Sequence, residues 1–250
     1  MGGNPLASLS GKVAIVTGSS RGIGRAIVER FAQDGAAVVV NYARSADEAH
    51  SVVAGIERKS GRAISIQADA SVVADIRRLF RETIAKFGHI DIVVNNAGAP
   101  PNPKQIADVT EEDFDSTFAV FGRGPFFVMQ EAARMLPDGG RIINISTVGT
   151  TLLPPFTSTY VGSKAAVEAF SAVLAAELSA RGITVNTVLP GPVETRMLRQ
   201  LPKEMQSAFE QRTPLGVGQP SDIAGLVAFL ASEEGRWITN EKIRCDGGMR

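Results

Sequence analysis

A chain of 250 residues and 26.4 kDa is long enough for one large domain or two small ones around a sizeable core. With 44% apolar and 21% charged residues and a mean hydropathy of +0.06, it has the composition of a globular protein, which excludes intrinsic disorder. Its 26 basic side chains balance 26 acidic ones, so no net field draws it to nucleic acid or an anionic membrane, and a small or neutral partner is expected.

Short β-rich apolar runs at 13–16, 37–41, 63–67, 90–94, 141–145, 183–188 and, more weakly, 242–244 predict seven strands. Between them, apolar spacings of three and four predict helices over 23–33, 46–59, 76–87, 111–136, 158–180 and 223–231. Thr110-Glu111-Glu112-Asp113 has the form of a capping box with aspartate in the usual glutamate place, and Gly35, Gly61, Gly88 and Gly182 stand where helices should stop. Strand and helix alternate, and each strand is apolar throughout, which is the pattern of a parallel sheet covered on both faces. The expected fold is therefore a single α/β domain over 1–250, doubly wound, with no internal repeat. Its one irregular region is 190–220, interrupted by Pro190, Gly191, Pro192, Pro202, Pro214, Gly216, Gly218 and Pro220. That excursion, bearing a short helix, is read as a substrate-covering loop.

The single cysteine, Cys245, cannot form a disulfide within the chain, and His50 and His89 are not clustered for zinc, so a reducing cytoplasm and a metal-free site are expected. No apolar run approaches the roughly 20 residues of a membrane span. The opening Met1-Gly2-Gly3-Asn4-Pro5 lacks the basic and apolar regions of an export signal, so the chain is expected to be neither exported nor anchored.

After the first strand comes Thr17-Gly18-Ser19-Ser20-Arg21-Gly22-Ile23-Gly24, leading into an amphipathic helix. Glycines at 18, 22 and 24 permit a tight turn and close backbone approach, and the free amides at the helix start attract a pyrophosphate. A phosphate-transfer loop is disfavoured, because no G-K-[ST] follows. The second strand ends in Asn41-Tyr42-Ala43-Arg44-Ser45 with no acid before Asp47 to bind an adenosine ribose 2′-hydroxyl. Arg21 and Arg44 could instead hold a 2′-phosphate, so NADP is expected over NAD; the alternative is that both arginines are solvated surface charges.

Tyr160 and Lys164 stand four apart at the start of a predicted helix and so share one face. A nearby ammonium favours ionised tyrosine, and the pair is expected to lower the phenol pKa. Ser146 and Thr147 follow an apolar strand, where a parallel sheet presents its active edge.

Together these segments resemble the short-chain dehydrogenase/reductase family. The resemblance spans almost the whole chain, through TGSSRGIG at 17–24, DA at 69–70, NNAG at 95–98, NIST at 144–147, YVGSK at 160–164, PGPVET at 190–195 and DGG at 246–248. It implies a Rossmann-like sheet in the order 3-2-1-4-5-6-7 and hydride transfer between a nicotinamide, NADP(H) here, and a small carbonyl or alcohol. By the same resemblance Tyr160 exchanges the proton with the substrate oxygen, Lys164 binds the nicotinamide ribose, and Ser146 or Thr147 orients the carbonyl. The cofactor residues it implies begin with the turn (Gly18, Ser20, Arg21, Gly22, Ile23, Gly24) and the end of the second strand (Asn41, Tyr42, Arg44, Ser45). Asp69 and Ala70 border the adenine, Asn95, Asn96, Ala97 and Gly98 line the ribose-pyrophosphate region, and Pro190, Gly191, Val193 and Thr195 approach the carboxamide. Related enzymes commonly assemble as tetramers, so a homo-oligomer, tetramer or dimer, is expected.

The sequence departs from the family pattern in three places. The family hydroxyl usually stands thirteen residues before the tyrosine, at Thr147, whereas Ser146 stands fourteen before it. Phe121 replaces an asparagine of an N-x-x-G pattern that holds a bend and a relay water, and a phenyl ring can make neither hydrogen bond. Asn240 replaces a glycine near the last strand, where asparagine tolerates positive φ. The sequence-level reading is an NADPH-dependent ketone reductase resembling 3-oxoacyl-carrier-protein and naphthol reductases, with Pro100 to Pro103, Thr150 to Phe156 and Met197 to Leu201 as an apolar substrate wall. The alternative, raised by Phe121, is a cofactor-binding protein with little turnover.

Overall fold

A computed structural model describes residues 8–250, so the opening segment read for an export signal lies outside the described residues. Seven strands, β1 (Val13–Val16), β2 (Ala37–Tyr42), β3 (Arg62–Gln67), β4 (Ile92–Asn95), β5 (Arg141–Ile145), β6 (Thr184–Pro190) and β7 (Lys242–Cys245), form one sheet in the order β3-β2-β1-β4-β5-β6-β7. Every pairing is parallel. The helices are α1 (Gly22–Gln33), α2 (Ala46–Glu57), α3 (Val73–Phe87), α4 (Glu111–Phe118), α5 (Gly124–Met135), α6 (Gly149–Leu152), α7 (Ser158–Leu178), α8 (Arg196–Arg199), α9 (Lys203–Arg212) and α10 (Pro220–Ala231).

Alternation of side chains along each strand divides the core in two. Ala14, Val16, Val38, Val40, Ile92, Val94, Ile143 and Ile145 face a core built with Ile27 and Phe31 of α1, Val52 and Ile56 of α2, and Ile223 and Val227 of α10. Ile15, Val39, Val93 and Ile142 face the other, with Leu79 and Phe80 of α3, Val128 and Met129 of α5, and Val167 and Leu178 of α7. The central strands are apolar throughout because both of their faces are covered. Strand order reverses between β1 and β4, which opens a crevice above the carboxyl ends of the strands.

Local signals hold in most places. Thr110 and Asp113 form the reciprocal capping box of α4, and Asn240 adopts a φ of 62°. At the end of α2 the left-handed residue is Ser60 (φ 63°), one position before the expected Gly61. Gly61 is required for another reason: a Cβ there would lie 2.6 Å from Ile56 Cγ2.

The single helix expected over 111–136 is divided. One π turn, Ala119–Arg123, separates α4 from α5. Phe114, Phe118, Phe121, Pro125, Val128 and Ala132 keep a spacing of three and four straight through the turn, so the apolar pattern does not reveal its added residue. The 190–220 excursion carries two short helices, α8 and α9, where one was expected, and α9 has no fully buried residue. Its base is closed by a parallel bridge between Val193 and Gly218 and by the bonds Glu194 N–H to Gly218 O (2.8 Å) and Gly218 N–H to Pro192 O (3.0 Å).

Candidate active site

The turn after β1 is built from backbone. Buried Thr17 accepts at Oγ1 from the amides of Asn96 (2.9 Å) and Ala97 (3.0 Å), and Asn96 Nδ2 donates back to Thr17 O (2.9 Å) and Gly18 O (3.1 Å). These bonds draw the loop after β4 against Gly18, which has φ 63°; a Cβ there would lie 2.7 Å from Ala97 Cα. Gly24 is as crowded, since its Cβ would lie 2.7 Å from Gly18 O. Gly22, at φ 57°, opens α1, whose first turn has neither a side-chain cap nor an acid. Its free amides and positive end therefore face the crevice.

Asn41 belongs to this scaffold. Its side chain is 1% exposed and fully engaged, Oδ1 accepting from Gly18 N (3.0 Å) and Nδ2 donating to Ile66 O (3.3 Å) and Ala68 O (3.0 Å). It holds the turn in place. Arg21 Nη1 donates to Ser45 Oγ (3.3 Å) and Glu48 Oε2 (3.4 Å), while Arg44 is exposed and Tyr42 packs edge-on against His50 at 6.1 Å.

A cavity of about 320 Å³ runs from this turn to the carboxyl ends of β5 and β6. Gly18, Arg21, Gly22, Ile23, Asn96 and Gly98 line one end; Ser146, Thr147, Tyr160 and Lys164 line the other; Pro190, Gly191, Val193 and Thr195 border it from the excursion. Its walls include Pro101, Met197, Leu198 and Leu201 from the expected apolar wall, with Phe121 and with Arg196, which the sequence did not mark out. Thr150 to Phe156 do not line it, contrary to the expected apolar wall. That loop is tied outside, with Lys104 N donating to Phe156 O (2.9 Å). A second, small cavity behind Lys164 is lined by Thr17, Ala70, Asn95 and Ala97 among others. Asn95 is 5% exposed and bonds inward to Asn144 Oδ1 (2.7 Å) and Pro125 O (3.3 Å), and Asp69 accepts from the amide and hydroxyl of Ser71. Ser20 is buried within the turn. Asn41 and Asn95 thus bond to the chain around the groove.

Ser146 and Thr147 point to different neighbours. The Ser146 hydroxyl donates to the buried carboxylate of Glu168 at 2.6 Å, and Glu168 is also paired with Lys242 Nζ at 3.3 Å. The Ser146 hydroxyl is thus engaged by Glu168, although the residue also lines the cavity beside Thr147. Thr147 accepts from Gly149 N (3.1 Å), and its hydroxyl stands beside the Tyr160 phenol. Glu168 was not foreseen. It lies one turn beyond Lys164 on α7, a spacing that the sequence did display.

Lys164 Nζ donates to Ile145 O at 2.6 Å and stands 5.1 Å from the centre of the Phe121 ring. Burial lowers its pKa to about 8, with the Glu168 carboxylate opposing the fall. Tyr160 moves upward: burial raises it, and the Thr147 hydroxyl offsets only part. The direction is opposite to the lowering expected from Lys164, since burial is the larger influence on the phenol.

Among proteins of known kind, the family model described as enoyl-(acyl carrier protein) reductase matches residues 18–250. An uncharacterized oxidoreductase of Methylorubrum extorquens is 46% identical over 249 residues, covering 98% of this chain and 100% of that one. The tetrahydroxynaphthalene reductase of Pyricularia oryzae is 40% identical, covering 97% and 90%. A crystal structure of the angucycline C-6 ketoreductase LanV with bound NADP superposes with a TM-score of 0.91 at 42% identity, covering 97% and 96%. With a family match over nearly its whole length and relatives this similar on the same fold, the chain belongs to the short-chain dehydrogenase/reductase family of oxidoreductases.

Proposed function

We propose that the protein reduces a ketone to an alcohol with NADPH, Tyr160 giving the proton. The observation that carries this reading is the meeting of Tyr160, Thr147 and Lys164 in one cavity that continues to the glycine turn at the uncapped start of α1. That turn suits a pyrophosphate, since a Cβ at Gly18 or Gly24 would strike backbone while the space over Gly22 is open apart from Thr195. Support for NADPH over NADH comes from the end of β2, which has no acid, from Arg21 beside Ser45, and from relatives crystallised with NADP or NADPH.

The bound nicotinamide supplies the hydride. The rest falls to the chain. Burial keeps Tyr160 protonated at neutral pH, the form needed to donate to the substrate oxygen as negative charge develops there. Thr147 donates a hydrogen bond to the same oxygen, a reading supported by its hydroxyl standing beside the Tyr160 phenol while that of Ser146 is engaged by Glu168. The Lys164 ammonium stabilises the phenolate left after transfer. Pro101, Phe121, Met197, Leu198 and Leu201 exclude water and favour an apolar ketone of the 3-oxoacyl, cyclic or aromatic kind, with 190–220 as its cover. Exposed Phe126 on α5 and Val173 on α7 support assembly with further copies of the chain.

Mixing the protein with NADPH and a panel of ketones, and following loss of reduced nicotinamide, tests the reading. Oxidation that Tyr160→Phe abolishes supports it. Tight NADPH binding with no oxidation of any ketone favours the cofactor-binding alternative, and a preference for NADH overturns the cofactor assignment.

A further inference from the structure

Phe121 stands where the family pattern carries a polar residue, and its ring touches both members of the proton-transfer pair. It lies in the π turn, 4% exposed, with its side chain in the main cavity. The ring centre is 5.0 Å from that of Tyr160 at an interplanar angle of 85°, an edge-to-face packing. Lys164 Nζ is 5.1 Å from the same centre, within reach of a cation–π attraction. Gly98 bounds the ring on a third side: a Cβ there would lie 2.9 Å from Phe121 Cε1, so the ring fills space that only glycine leaves.

We propose that Phe121 is a positioning residue, its ring holding the Lys164 ammonium in the charged state and fixing the Tyr160 phenol beside it. The proposal rests on the reading of Tyr160 and Lys164 as the proton-transfer pair. The groups around Lys164 leave the ring a distinct part. On α7 the titratable neighbours are Tyr160 and Glu168, and Glu168 is shared with Ser146 and with Lys242 of β7. β5 offers the Ile145 carbonyl, while the turn after β1 offers Thr17 and β4 offers Asn95, neither of them charged. The π turn offers the Phe121 ring. Since burial already drives Lys164 down to about 8, small changes in what surrounds the ammonium move its titration across the working pH range.

The test is a direct titration of Lys164 without cofactor, using lysines labelled at Cε and followed by NMR, with the resonance assigned by Lys164→Met. Phe121→Leu keeps an apolar side chain of similar bulk and removes the ring. It should lower the Lys164 midpoint by about half a unit to one unit, whereas Phe121→Tyr, which keeps the ring, should stay within about 0.2 of wild type. In turnover, Phe121→Leu should lower kcat about tenfold at pH 7 and move the alkaline limb of the kcat–pH profile down with the Lys164 midpoint, which loss of a packing ring alone would not do. If Phe121→Leu does not fold, Phe121→Met replaces it. An unshifted midpoint in a folded variant overturns the proposal, because a ring that only packs would lower the melting temperature and leave the titration alone. A shifted midpoint in a protein that reduces no ketone removes the reductase reading and keeps the bracket; turnover with an unshifted midpoint does the opposite.

Discussion

The two ends of the cavity are made in different ways. At the glycine turn the working surface is backbone: Gly18, Gly22 and Gly24 shape it, and Thr17, Asn41 and Asn96 spend their side chains holding peptide groups in place. At the other end the working surface is side chain: Tyr160, Thr147, Lys164 and Phe121 meet there from α7, the end of β5 and the π turn. A surface made of peptide groups tolerates little added volume but is indifferent to chemistry. One made of side chains is the reverse, since a single atom exchanged can remove the reaction while the fold persists.

The largest effect that would sharpen this contrast is at Tyr160. Tyr160→Phe removes one oxygen and should cut kcat by about 10²- to 10⁴-fold while the NADPH dissociation constant, read by fluorescence titration, stays near wild type. Gly18→Ala is its counterpart at the backbone end. With φ 63° and Ala97 Cα 2.7 Å from the added Cβ, it should cost about 1–3 kcal/mol of stability and weaken NADPH binding along with it. Denaturant unfolding and binding measured on the same preparation check both; normal binding by a stable Gly18→Ala protein would break the comparison.

A smaller contrast lies within the chemical end. Thr147→Ala should lower kcat by about tenfold or more with little loss of stability. Ser146→Ala should do the converse, destabilising by about 1–3 kcal/mol because a buried carboxylate loses a donor, with kcat changed less. Equal kinetic losses in the two variants would contradict the division of labour. Smallest is the response to pH. As pH rises through about 8 the Lys164 ammonium is lost, so ketone reduction should decline above that point and hold steady below it, which a kcat profile in buffers of constant ionic strength would show.

The backbone end was the more legible in sequence, because glycine spacing after an apolar strand reports a conformational requirement directly. The strand order and the crevice followed from strand-helix alternation and the family resemblance. Tyr160 and Lys164 were legible as well, since i,i+4 spacing places two residues on one helix face whatever surrounds them. What could not be read was direction. Beyond the thirteen-residue spacing to Tyr160, nothing in NIST distinguishes a serine bonded to Glu168 from a threonine beside the phenol, for both depend on how α7 packs on β5. The raised Tyr160 pKa was hidden for the same reason, as desolvation is a property of the assembled cavity. The π turn left no trace in apolar periodicity, and without it the contact of Phe121 with Tyr160 and Lys164 had no local signature.

Lys164 illustrates what a working cavity exacts from the molecule around it. An ammonium whose proton is held more weakly in the folded chain than in the unfolded one opposes folding at neutral pH, and that opposition eases only as the medium grows alkaline between about 8 and the ordinary lysine value of 10.5. An apolar residue in its place would sit more comfortably among Ile145, Val167 and Phe121. Robustness alone gives no reason to keep the lysine there; the proposed proton transfer does.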